Sequence, residues 1–113
     1  MAGLVYINEE EGKKRVMNNA KLYVKLLAKF KADISLRDLL ASVENQDWEK
    51  AKTDVHAIKG IAANLSLTEL FNQALNLEGQ LHGANLKPES MDNLKICFAE
   101  TLAEVEKVIA RNS

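Results

Sequence analysis

Residues 48–65 read WEKAKTDVHAIKGIAANL. Trp48, Ala51, Val55, Ile58, Ala62 and Leu65 recur every three or four residues, the seam of a helix that packs in a bundle. Asp47 stands just ahead as a good N-cap. Successive residues of a helix turn by about 100°, so His56 falls roughly 130° from the centre of the seam. Lys52, Lys59, Gly60 and Ala63 share the flank around it, and the glycine and alanine offer almost no bulk. The segment therefore predicts a helix that buries one side and presents an imidazole, two ammonium groups and a shallow patch on the other.

The same periodicity extends in both directions. Upstream, Leu22, Tyr23, Leu26, Leu27 and Phe30 mark a helix over 19–32, and Leu36, Leu39, Leu40 and Val43 continue as a second stripe. Asp33 and Ser35 between them are cap-like, so 19–45 fits one kinked helix or two. Asn45-Gln46-Asp47 then breaks the pattern. Downstream, 64–68 forms a short junction. Leu67, Leu70, Phe71, Ala74 and Leu81 line a further helix that ends near His82-Gly83, where the glycine suits a C-cap. Pro88 suits the first turn of a last helix, because its missing N–H costs nothing there. That helix runs to about residue 111 on Met91, Leu94, Phe98, Leu102, Val105 and Ile109. At the other end Asn8 caps a short helix with Glu9, Glu10 and Glu11 in its first turn, and residues 1–7 read as a loose arm or docking segment. Short connections favour antiparallel neighbours. The expected fold is all-α: an antiparallel up-down four-helix bundle with a short extra N-terminal helix, one domain over 1–113.

Composition narrows the function. The chain has 113 residues, 47% of them hydrophobic, with one proline and five glycines, which supports a compact core rather than disorder. Fifteen basic against sixteen acidic side chains leave a net charge of −1, so there is no polyanion-binding footprint and nucleic acid is not an expected partner. No apolar run approaches the roughly 20 residues of a membrane span. In MAGLVYINEEEGKKR the charges follow the short apolar stretch, the reverse of a signal peptide. The single cysteine, Cys97, cannot form an internal disulfide or a CxxC site. It reads as a small core residue of the last helix in a reducing, cytoplasmic setting. His56 and His82 with nearby carboxylates make no recognisable metal site, and no cofactor is expected. A monomer is the expected state.

An exposed imidazole beside a fixed positive charge suits a group that accepts and releases a phosphoryl. Imidazole is a competent nucleophile near neutral pH, since its ordinary pKa is about 6.5. A phosphoryl on a ring nitrogen stays reactive, and Lys59 would help neutralise its oxygens. Gly60 costs about 1 kcal/mol in a helix interior relative to alanine, so either space for a partner or close helix packing demands it. Glu78 projects from the apolar stripe of the following helix. A carboxylate there needs a partner or an opening to water. It either accepts from one ring N–H of His56, fixing the tautomer, or reaches solvent at the edge of the stripe.

These residues resemble the histidine-containing phosphotransfer (HPt) domains of multistep phosphorelays. The family pattern His-x-[Leu/Ile]-Lys-Gly stands here as His56-Ala57-Ile58-Lys59-Gly60. Gly12, Arg15, Tyr23, Leu27 and Phe30 are similar to its opening, Asn45-Gln46-Asp47-Trp48 to its turn before the phosphorylated helix. Ala62-Ala63-Asn64-Leu65, Leu70 and Leu77-Glu78 are similar to its continuation. The resemblance spans roughly residues 9–110. It implies His56 as phosphoacceptor, Lys59 as phosphate-facing cation, Gly60 as the small residue beside the ring and Glu78 as the group that orients the imidazole. Docking would use Lys52, Gly60 and Ala63. It further implies receiver domains of hybrid histidine kinases and response regulators as partners, with magnesium held by the receiver. The family binds no ATP, and the sequence has no glycine-rich phosphate loop. Many members carry glycine where this chain has Ser66, and the serine is expected to cap the next helix. Two alternatives stay open: the phosphoacceptor domain of a chemotaxis-type kinase, and a helical-bundle binding module that is never phosphorylated.

Overall fold

The computed structural model describes residues 5–112 and is all-α over that range. Six helices follow one another: α1 (Glu9–Arg15), α2 (Ala20–Lys31), α3 (Ser35–Glu44), α4 (Trp48–Leu65), α5 (Thr68–His82) and α6 (Pro88–Arg111). The stretch 19–45 is thus two helices. The break between them is local chemistry: the Asp33 carboxylate accepts from the Ser35 backbone N–H at 2.8 Å, satisfying a donor that opens α3. Gln46 adopts positive φ (58°) in the next turn, and Asp47 caps α4 by accepting from Lys50 N–H at 3.2 Å.

The helices form a bundle. α3 packs on α4, α4 on α5 and α5 on α6, and α6 returns to α2. One continuous core fills the middle, built from the apolar stripes of all five longer helices. Tyr23, Leu27, Leu39, Val55, Leu70, Leu77, Leu94 and Val105 are fully buried in it. The rings of Phe30 and Phe98 stack at 5.2 Å, joining α2 to α6. Cys97 is buried on α6, as its single apolar context suggests.

The end of α4 is tied down from several sides. The buried Tyr23 hydroxyl donates to the Leu65 carbonyl at 2.8 Å. Gly12 of α1 lies over that ring so closely that a Cβ there would sit 2.4 Å from the Tyr23 hydroxyl oxygen. The Asn8 N–H donates to the Ser66 carbonyl at 2.8 Å. Glu9 gathers Arg111 (2.7 Å), Lys13 (2.8 Å) and Asn112 (3.2 Å), so α1 also closes onto the end of α6. Arg111 first, then Lys13, hold the Glu9 carboxyl down at about 2. Of the expected N-terminal arm, residues 1–4 lie outside the described residues, and Tyr6 and Ile7 pack against the core.

Two local expectations need correction. Trp48 does not belong to the buried seam; it opens α4 at 43% exposure, beside Leu81 and His82 at the end of α5. Ser66 does not cap α5. It ends α4 in the left-handed region (φ 57°), and its hydroxyl donates to Glu11 at 2.8 Å, while Leu67 precedes α5 without a side-chain cap. A left-handed backbone is one that glycine adopts without strain, so serine here carries a steric cost. Gly83 is the C-cap residue of α5 as expected, with φ −83°, and the positive φ beyond it falls on Ala84 (52°). Asp54 ties α4 to α3: its carboxylate accepts from Ser42 of α3 at 2.7 Å and pairs with Lys50 at 3.1 Å.

Candidate functional site

Only two residues, Ser66 and Leu67, separate α4 from α5, and the two helices run back along each other. The return brings Glu78 beside the middle of α4. Its two carboxylate oxygens are both engaged: Oε2 lies 2.9 Å from His56 Nδ1 and Oε1 lies 2.6 Å from Lys59 Nζ. The carboxylate is largely shielded, with 15% of its side chain exposed. Of the two sequence-level alternatives for Glu78, the contact with the imidazole is the one realised. The Lys59 ammonium first, then His56, hold its carboxyl below the ordinary carboxylate range.

That contact has a chemical consequence. An ionised carboxylate can only accept, so the proton in the His56–Glu78 bond belongs to Nδ1. The Nε2 lone pair is then free. The His56 side chain is 71% exposed, so this nitrogen is open to an approaching electrophile.

The other expected site residues are arranged around the ring in different ways. Lys59 is half-buried and turned towards Glu78, one helical turn from the imidazole. Lys52, a turn on the other side, is half-buried and pairs with Glu49 at 3.2 Å. Gly60 is exposed, and a Cβ there would meet nothing within 4 Å. Open space, not close helix packing, is what its missing side chain provides. Ala63 is half-buried a turn further on. Gly79, next to Glu78 on α5, escaped the sequence reading although it is equally exposed and equally free of neighbours within 4 Å. The signal available for it was the one used for Gly60: a glycine inside a helix, costing about 1 kcal/mol with no turn to justify it. Among the described residues, no group of three His, Cys, Asp or Glu side chains is placed to hold a metal ion.

A family model described as Hpt domain matches residues 25–109, from the second turn of α2 to the end of α6. The chain belongs to the Hpt domain family. It is a histidine phosphotransfer module of two-component phosphorelay signalling, and Hpt domains of this kind work with receiver domains as carriers rather than enzymes. Lys52, His56, Lys59, Gly60, Ala63 and Glu78 all fall inside the matched range, whereas α1 precedes it. No curated protein and no solved structure matches the chain. No helix among the described residues is long and apolar enough to cross a membrane.

Proposed function

We propose that this Hpt domain is a phosphocarrier in which His56 takes a phosphoryl group from the aspartate of one receiver domain and passes it to another. The observation that carries the reading is the His56–Glu78 contact at 2.9 Å on a ring that is otherwise exposed. In the forward step the Nε2 lone pair attacks phosphorus. The P–N bond forms as the P–O bond to the receiver aspartate breaks, and the carboxylate leaves with the electron pair. The proton on Nδ1 stays in its bond to Glu78, which stabilises the positive charge that the ring gains. The return step needs the same arrangement: with Nδ1–H retained, the ring departs as neutral imidazole. No proton has to enter or leave the site in either direction.

Lys59 is the cation nearest to the arriving phosphoryl. Its ammonium pairs with Glu78 in the resting state and can swing between that carboxylate and the phosphoryl oxygens. Lys52, Gly60 and Ala63 form the flank on which the receiver rests, and Gly60 with Gly79 lets its loop approach the ring. Magnesium belongs to the receiver; the carrier holds neither a metal nor ATP and has no kinase activity of its own. A monomer in a reducing cytoplasm fits the lone buried thiol of Cys97.

The test is transfer from a panel of phosphorylated receiver domains to the native chain and to His56→Gln. Acid-labile, base-stable label on the native chain alone supports the carrier. Labelling only by an ATP-bound kinase domain would support the chemotaxis-type alternative, and receiver binding without any label would support a plain binding module.

A further inference from the structure

Resting on the carrier function just described, we propose that the groove beside Trp48 is a docking pocket for an apolar side chain of the receiver, carried on a loop beside its phosphorylated aspartate. The groove encloses about 510 Å³ between the start of α4 and the end of α5. Trp48, Leu81 and Leu86 give it an apolar side, and Glu49, Lys52, Gln80 and His82 make its polar walls. Leu81 is a buried floor at 4% exposure, while Trp48 stays 43% exposed. The part of Trp48 left open, 43%, is aromatic surface that gains from being covered.

The groove is continuous with the phosphorylation site. Lys52 lies four residues after Trp48 and four before His56, so the three share one helical flank. On α5, His82 lies four residues after Glu78 in the same way. Groove and His56–Glu78 pair are successive turns of one helix pair. Eight residues of helix separate Trp48 from His56, about 12 Å along the axis. An ordinary interface covers about 800 Å² on each partner, a disc of roughly 16 Å radius. A receiver centred on Nε2 with that footprint overlies the groove. Lys52 on the groove wall is paired with Glu49 at 3.2 Å, so apolar surface rather than net charge is what the groove offers a receiver side chain. Half-exposed tryptophans in such pockets are the usual anchors of interfaces.

Trp48 is the single tryptophan of the chain and reports on its own burial. The experiment uses a tryptophan-free receiver domain that transfers to the native chain. Adding it should shift and strengthen or quench the indole emission, saturating with the same concentration dependence as transfer. Trp48→Ala should raise the receiver concentration needed for half-maximal transfer by about tenfold or more, and Trp48→Phe should recover most of the loss. Direct labelling of His56 by phosphoramidate, which needs no docking, should be unchanged in both variants. Ile96→Ala removes another exposed apolar side chain, on α6, and should leave transfer as it is. Unaltered emission on receiver binding, or native concentration dependence in Trp48→Ala, overturns the pocket and leaves the carrier function standing. If Trp48→Ala does not fold, the emission of the native chain decides. A native chain that takes label from phosphoramidate but from no receiver domain overturns the carrier function itself.

Discussion

Lys59 and His56 share one acceptor: the Glu78 carboxylate lies 2.6 Å from the Lys59 ammonium and 2.9 Å from His56 Nδ1. The lysine can leave that carboxylate for a phosphoryl on the ring, whereas Lys52 is already paired with Glu49 a turn away. Lys59→Ala is therefore expected to slow transfer about tenfold or more, the range for losing one charge-stabilising donor, and to do so well beyond Lys52→Ala. Single-turnover rates with one receiver measure both. Equal effects would mean that only overall charge matters.

Gly60 separates function from stability. Its exposed position, with nothing within 4 Å of an added Cβ, accepts a side chain without strain. Gly60→Gln should stabilise α4 by up to about 1 kcal/mol, because glutamine is the better helix former. The same side chain stands where a receiver loop must pass and should slow transfer. Chemical denaturation and transfer kinetics on one sample read the two effects, and normal transfer would remove the steric role of the glycine.

Gly12 has the opposite character. A Cβ at 2.4 Å from the buried Tyr23 hydroxyl oxygen forces the ring away from its bond to Leu65. Gly12→Ala should cost about 1–3 kcal/mol as overpacking, despite the better helix propensity of alanine. A lowered urea midpoint with unchanged helicity is the expected result. A raised midpoint would show that α1 does not lean on Tyr23 as described.

Most of the helices were legible because their apolar residues recur at bundle spacing; Ala51, Val55, Ile58, Ala62 and Leu65 are all buried as that rhythm requires. His56 was legible as the residue pointing away from the seam. Periodicity carries no information about turns in the left-handed region, so Ser66 and Ala84 were placed wrongly or not at all. Nor does it register side chains that meet across helices. The Asp54–Ser42 bond, the cluster around Glu9 and the choice of Glu78 between His56 and solvent all depend on how neighbouring helices align. Trp48 misled for a related reason: it keeps the rhythm, but as the first residue of α4 it meets only the end of α5 and stays partly open.

Acid should open the α1 latch first. The Glu9 carboxyl is held at about 2 in the folded chain against 4.5 ordinarily, by Arg111 and then Lys13. A depressed folded value means that its contribution is complete above pH 4.5 and is lost as pH falls from there through about 2. Allowing for its partial exposure, that contribution is about 1–2 kcal/mol. Glu9→Gln should therefore lower stability at pH 7 and flatten its decline between pH 4.5 and pH 2, followed by urea midpoints across the range. A decline as steep as that of the native chain would assign the acid sensitivity elsewhere.

The most direct measurement is nitrogen and phosphorus NMR of the chain carrying ¹⁵N-histidine, after transfer from a phosphorylated receiver domain. The expected result is one phosphoryl bonded to His56 Nε2, with Nδ1 still protonated and His82 unmodified. A phosphoryl on His56 Nδ1 or on His82, or no phosphohistidine at all, would contradict a carrier whose reactive nitrogen is set by Glu78.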